Sequence, residues 1–274
     1  MTIFNLGASA QEACRVFHTF TEGRPELIPT GIPGVDRIIG GMFPGAAAIL
    51  GADTGVGKSS VILGAAMTAA EKCSVGILSL EDGHDVLGSR AISLVSGIDS
   101  LRIRMKALSK PEIEQIYAAI ETLATVPVHL AYAIGGQLEE ALERIDELAE
   151  AGCKQIYVDY LQKIRGDGRD RRNEVAGSFT RMQAEMARKG CAGVFVSQVT
   201  RRPDMSQPPR RWHLKESGCL ENEARLIVML SRDEATGILH GLVDKSTVGG
   251  EGRTFQMKRT SRGLVDIVTE ETDF

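Results

Sequence analysis

Eight consecutive residues, Ala52-Asp53-Thr54-Gly55-Val56-Gly57-Lys58-Ser59, constrain this chain more than any other stretch. Before them the apolar run Ala46-Ala47-Ala48-Ile49-Leu50-Gly51 reads as a buried strand, and after them Ser60-Val61-Ile62-Leu63-Gly64-Ala65-Ala66-Met67 reads as a helix. At this spacing, glycines at 55 and 57 let consecutive N–H groups turn inward around phosphate oxygens, and a helix starting near Lys58 adds its positive dipole end. The stretch predicts a nucleoside triphosphate site built from Asp53, Thr54, Gly55, Val56, Gly57, Lys58, Ser59 and Ser60. Lys58 reaches the β- and γ-phosphates, and the Ser59 hydroxyl ligates Mg²⁺. Ala52 stands where the strict pattern has glycine, so the looser form of the motif applies.

From Ile28 onward, apolar runs of strand length alternate with amphipathic helical stretches, which predicts an α/β fold with a mostly parallel sheet and helices on both faces. Strands are expected at 46–51, 75–80, 127–131, 155–159, 192–198 and 225–231, and helices at 58–71, 83–96, 111–124, 136–150 and 173–189. The tail from Gly237 to Val268 reads as short β-segments joined by a Gly-rich turn at 249–252. Near the start, Ser9-Ala10-Gln11-Glu12 has the form of a capping box opening a helix to about Phe20. Its stripe of Ala13, Val16, Phe17 and Phe20 folds either onto its own domain or, as an arm, onto a neighbouring subunit. The economical division is an arm at 1–27 and one nucleotide-binding domain at 28–274.

A hydrophobic content of 43% with 25% charged residues is ordinary for a soluble globular protein, and a net charge of -4 argues against indiscriminate coating of nucleic acid. The five cysteines form no CxxC pair, so neither zinc nor a disulfide framework is suggested, and a reducing, cytoplasmic setting fits. No apolar run approaches the roughly 18 residues of a membrane span, so no membrane partner is expected.

Three further strand ends carry chemistry. Gln155-Ile156-Tyr157-Val158-Asp159 ends in an acid suited to hold the hydration shell of Mg²⁺. Val75-Gly76-Ile77-Leu78-Ser79-Leu80-Glu81 ends in a carboxylate able to polarise an attacking water, with Asp82 and Asp85 as competitors for that role. Gly193-Val194-Phe195-Val196-Ser197-Gln198 ends in an amide that can sense the γ-phosphate or make an ordinary strand-end hydrogen bond.

Asp159-Tyr160-Leu161-Gln162, Ser197-Gln198, Leu214-Lys215-Glu216-Ser217-Gly218 and Ser231-Arg232-Asp233-Glu234 together resemble the ordered motifs of the C-terminal ATPase domain of DnaB-type replicative helicases. Pro29-Thr30-Gly31-Ile32-Pro33-Gly34-Val35-Asp36 with Gly40-Gly41 is similar both to that family and to RadA and KaiC ATPases. The resemblance spans roughly residues 28–270 and implies a RecA-like P-loop NTPase core. It further implies ATP with Mg²⁺ on Lys58 and Ser59, Glu81 as catalytic base, Asp159 at the metal and Gln198 as γ-phosphate sensor. The implied partners are single-stranded DNA, five further copies in a homo-hexamer, and a primase or helicase loader.

Two stretches after these strand ends are basic. Lys163 to Arg172 holds five basic and two acidic residues, and Thr200 to Lys215 holds five and one. Arg169, Arg171, Arg172, Arg201, Arg202, Arg210, Arg211 and Lys215 are candidates for phosphate contacts that read no bases. In the resembling helicases the loop holding Lys215, Glu216 and Gly218 lines a central channel. Lys215 stands where that family has arginine, which keeps a phosphate contact and loses the bidentate fork. Trp212, the only tryptophan, either stacks on a base or packs at the base of the loop. Arg225 stands where the family carries an acid, which nothing in the sequence explains.

The largest departure is at Lys245-Ser246-Thr247. The family carries a Lys-x-Arg pair inserted into the neighbour's nucleotide site, where the arginine stabilises transition-state charge. Here Lys245 matches and Thr247 takes the arginine's place. Either Lys245 acts alone, or Arg253 swings in from beyond the turn, or trans-activated hydrolysis is weak. A ring helicase threading single-stranded DNA is the expected function. A RecA/RadA/KaiC-like assembly switch without unwinding is the alternative, favoured by Thr247 and by the want of a large N-terminal collar. A metabolic kinase is disfavoured because no lid-like arginine segment stands out.

Overall fold

Short runs dominated by alanine, valine, isoleucine and leucine have no polar face to turn outward, so they form strands covered on both sides. In the computed structural model, which describes residues 27–53, 55–166, 170–200, 207–215 and 217–267, they assemble one nine-stranded sheet. Its strands are β1 (Ala47–Ala52), β2 (Val75–Ser79), β3 (Val128–Tyr132), β4 (Gln155–Asp159), β5 (Ala192–Gln198), β6 (Leu226–Arg232), β7 (Leu239–Ser246), β8 (Thr254–Thr260) and β9 (Gly263–Asp266). Their spatial order is β3-β2-β4-β5-β1-β6-β7-β8-β9. The first six are parallel, and β7 to β9 continue the sheet antiparallel. The expected parallel α/β core with a β-rich C-terminal part is therefore present.

The helices are α1 (Pro33–Ile39), α2 (Lys58–Ala69), α3 (His84–Ser96), α4 (Ser100–Arg104), α5 (Lys110–Ala124), α6 (Leu138–Glu150), α7 (Arg171–Arg188) and α8 (Ser217–Glu223). The period-two alternation of a strand divides β1 between two cores. Ala48, Leu50 and Ala52 pack with residues of α1, α2 and β8, whereas Ala47 and Ile49 pack with residues of α6 and α7. Helix α6 buries Leu138, Ala141, Ile145 and Leu148 at helical spacing. Its Leu148 comes close because position 76 on β2 is glycine: a Cβ there would lie 2.9 Å from Leu148 Cδ1.

The five anticipated helices and six anticipated strands lie within two residues of their expected bounds. Helices α1, α4 and α8 were not anticipated, being one or two turns long. The helix expected from Ser9 to Phe20 lies outside the described residues. The front motif at 29–36 is structural. Asp36 Oδ1 accepts from the Thr30 N–H at 2.8 Å and the Thr30 hydroxyl at 2.7 Å, and Oδ2 from the Gly31 N–H at 3.1 Å. Tyr157, fully buried on β4, donates to the Thr30 carbonyl at 2.7 Å, which ties this turn to the sheet. Gly31 has φ +70°, and a Cβ there would meet the Ala65 carbonyl oxygen at 2.0 Å.

Gln155 opens β4 with no exposed surface, and neither atom of its amide has a hydrogen-bond partner among the described residues. An unpaired buried amide costs more than an apolar side chain of its shape. Gln155→Met is expected to stabilise the fold by about 1 kcal/mol, read as a higher urea midpoint; a lower midpoint would contradict the assignment.

Candidate active site

Parallel strands deliver their C-terminal ends to one edge of the sheet, and the candidate groups collect there. Ala52, the last residue of β1, is level with Gln198 on β5 and Leu230 on β6. On the other side of β5, Ser79 of β2 is level with Asp159 of β4, so Glu81 leaves the sheet beside Asp159. Gly55 and Gly57 take φ of 93° and 82°, and Gly57 caps α2 in the left-handed region without a side-chain bond. The first N–H groups of α2 are thus left for an anion. Thr54 lies outside the described residues.

Lys58 Nζ folds back over its own loop, 3.3 Å from the Asp53 carbonyl and 3.5 Å from that of Ala52. Burial lowers its pKa, opposed by the charges of Asp159, Asp53 and Glu81. Asp159 is 4% exposed, and burial pushes its carboxyl above the ordinary value; a hydrogen bond with Ser59 opposes that, and Asp82 adds to it. Among the described residues no group of three His, Cys, Asp or Glu could hold a metal alone. One hydroxyl and one carboxylate suit Mg²⁺, which keeps waters and takes its other ligands from phosphates.

The three competing acids are separated by their partners. Asp82 is ion-paired with Arg90 of α3, and its backbone is closed onto the Ser79 hydroxyl at 2.8 and 3.1 Å. Asp85 is exposed in the first turn of α3. Glu81 is half-exposed at the sheet edge, with Lys163 Nζ 2.9 Å from its Oε1.

Gln162 was read only as part of a motif, yet its amide joins three pieces of the site. Oε1 accepts from the Gln198 N–H at 2.9 Å, and Nε2 donates to Ser197 Oγ at 2.8 Å and to the Lys215 carbonyl at 3.3 Å. The Lys215 N–H in turn donates to the Gln198 carbonyl at 2.8 Å. Arg259 of β8 was not anticipated either. Its Nη1 lies 3.7 Å from where a Cβ of Gly57 would stand, and burial together with Arg232 holds its guanidinium below the ordinary pKa. Neither arginine has a carboxylate partner among the described residues. No local pattern marks Arg259, because β8 joins this edge only through the antiparallel extension.

The basic residues divide. Arg172 and Lys215 are exposed. Arg171 is turned inward: it pairs with Glu174 and donates to the carbonyls of Ile164 and Gln162. Arg210 Nη1 is 3.1 Å from Asp244 Oδ1, the Arg211 N–H donates to Asp244 Oδ2, and Arg211 Nη1 reaches Glu251 at 3.1 Å. Asp244 is the extra residue of a bulge, since Ile227 faces Lys245 and Val228 faces Val243. The bulge turns this acid inward, where it is 6% exposed. Trp212 is 60% exposed, which excludes the packing role. Arg169, Arg201, Arg202 and Glu216 lie outside the described residues, and Gly218 belongs to the first turn of α8.

Lys245 is level with Ile227, which faces Ile49 of β1, about 10 Å along the strands from Ala52. That is the end of the parallel strands opposite the phosphate loop. There Lys245 Nζ donates to the carbonyls of Glu221 and Asn222 at the end of α8. The Thr247 N–H donates to the Arg225 carbonyl at 3.0 Å, and Arg253 is exposed beyond the turn.

Residues 28–258 match the family described as DnaB-like helicase C terminal domain. The replicative DNA helicase DnaC of Bacillus subtilis is 29% identical over 215 residues, 76% of this chain and 47% of that protein. The chain spans about half or less of the length of the first curated relatives it matches. A DnaB-like replicative helicase, solved in a study of its interactions with primase, shares the fold at TM-score 0.81 and 18% identity, over 97% of this chain and 68% of that one. A KaiC-like protein of Pyrococcus horikoshii shares it at TM-score 0.57 and 15% identity, over 88% and 99%. No helix among the described residues is long and apolar enough to cross a membrane.

Burial raises the Asp159 pKa in the folded chain, so the fold gains from the proton at acid pH and loses that gain as pH rises through the folded value. At pH 7 the ionised, ligand-free Asp159 is a net cost. Asp159→Asn is expected to raise the melting temperature of the ligand-free protein at pH 7, with the difference shrinking toward pH 4, and to abolish Mg²⁺-dependent turnover. A lower melting temperature at pH 7 would contradict this account.

Proposed function

The chain belongs to the DnaB-like helicase C-terminal domain family, and from that premise we propose that it is an ATP-driven translocase on single-stranded DNA, working as a ring of identical subunits. The observation that carries the proposal is the pair of backbone and amide links hanging Lys215 from Gln198, level with the start of the phosphate loop. A γ-phosphate contact at Gln198 then moves a DNA-facing cation directly. The loop N–H groups and Lys58 hold the β- and γ-phosphates, and Ser59 and Asp159 hold Mg²⁺ with its waters. Glu81 takes the proton of the attacking water as oxygen bonds to the γ-phosphorus, the bond to the β-phosphate oxygen breaks, and ADP and phosphate leave.

Lys215 and Arg172 supply the exposed phosphate contacts. Arg210 and Arg211 act mainly as struts on Asp244. Arg259, whose Nη1 lies beside Gly57 of the loop, contacts the bound nucleotide with Arg232 close by, and Arg259→Ala raises KM for ATP severalfold.

The Lys245 ammonium is remote from its own loop and held by the α8 carbonyls, so it can serve only another subunit's site, and only by leaving those carbonyls. The threonine at 247 favours a second reading, a slow ATP-dependent switch that binds DNA without unwinding it. A primase or loader partner fits the first reading.

ATPase assays on protein of measured assembly state, with and without single-stranded DNA, separate the two. DNA stimulation with strand separation on a fork supports the translocase; binding without either supports the switch. Glu81→Gln is expected to lower kcat by about 100-fold or more while retaining nucleotide binding. Thr247→Arg is expected to raise turnover in the assembled ring, and no gain would leave Lys245 or Arg253 as the acting cation.

A further inference from the structure

The 3₁₀ turn Leu161–Lys163 follows Asp159 directly and sets neighbouring side chains on different parts of the site. Gln162 faces the Gln198 and Lys215 backbone, while Lys163 Nζ lies 2.9 Å from Glu81 Oε1 and 5.8 Å from the centroid of the Tyr160 ring. Lys163 is also the first residue of the basic stretch that ends at Arg172. One ammonium thus belongs both to the carboxylate read as catalytic base, through its ion pair, and to the basic stretch read as part of the DNA track.

The chemistry of that contact is specific. A carboxylate oxygen that accepts from an ammonium at 2.9 Å has that lone pair committed and cannot use it to take a proton from water. The two side chains are 40% and 45% exposed, so the pair is weak enough to exchange its partners. A phosphodiester on the DNA face is a competing anion of the same charge. We propose that Lys163 is a positioning residue that withholds Glu81 in the absence of nucleic acid, and that a phosphate of single-stranded DNA draws it off and frees the base.

The arrangement makes DNA stimulation a property of one side chain rather than of the whole ring. Removing the Lys163 charge frees Glu81 permanently, whereas losing an ordinary DNA contact lowers the stimulated rate and leaves the basal rate alone. The two possibilities move the basal rate differently.

The inference rests on Glu81 being the base, so Glu81→Gln is assayed first; if it turns over like wild type, that reading fails whatever Lys163 does. Given an inactive Glu81→Gln, Lys163→Met is expected to raise the DNA-independent kcat about 5-fold or more and to bring the ratio of stimulated to basal rate toward one. KM for ATP stays near wild type, which also shows that the variant is folded; Lys163→Gln replaces it if Lys163→Met does not bind nucleotide. Lys163→Arg restores a stimulation ratio well above that of Lys163→Met. An unchanged or lower basal rate in the neutral variant overturns the proposal, as does a Lys163→Arg enzyme as derepressed as Lys163→Met.

Discussion

Everything functional in this molecule depends on β1 being hydrogen-bonded on both sides to parallel strands. That pairing makes Ala52, Gln198 and Leu230 level, so the phosphate loop opens beside the strand end proposed to sense it. It also requires β1 to bury both faces, which its sequence of alanine, isoleucine, leucine and glycine allows. Glu81 and Asp159 are then held by β2 and β4 at the same edge, with Asp159 hydrogen-bonded to Ser59 of the loop. Side chains so placed inherit the rigidity of the sheet, and preorganised charge is what phosphoryl transfer requires of a protein.

The same sheet carries Lys245 at its opposite end. Antiparallel β7 runs back from the loop edge, so Lys245 emerges where the parallel strands begin, locked on the carbonyls that end α8. Helix α8 starts two residues after Lys215, whose N–H hangs from Gln198. The carbonyls that hold Lys245 thus belong to the helix that follows Lys215 in the chain. In the proposed ring, that short helix would link the loop read as DNA-facing to the cation read as serving a neighbour's site.

The parts legible in the sequence are those written locally. The phosphate loop is eight adjacent residues, and Asp159 and Gln198 end apolar runs that could only be buried strands. The front motif was legible as a pattern, but its work, Asp36 stapling the Thr30–Gly31 turn beneath Tyr157, appears only in three dimensions. Gln162, Arg259 and the Lys163–Glu81 pair were not legible, because each joins residues from separate strands. Choosing Glu81 over Asp82 needed Arg90, a partner one helix away.

Counting basic residues along a loop overstates what that loop offers to DNA, and Arg210 and Arg211 show why. Their shared partner is Asp244, 34 and 33 residues on, which a bulge in β7 turns inward beside them. Burial forbids leaving that acid unpaired, so the Arg210 guanidinium is committed to its carboxylate, while the Arg211 guanidinium is taken up by the Asp244 carbonyl and Glu251. What they gain is rigidity between the loop and the strand bearing Lys245. Under the proposed translocase, that rigidity would matter more than two further phosphate contacts, because it fixes the loop to the strand that carries Lys245.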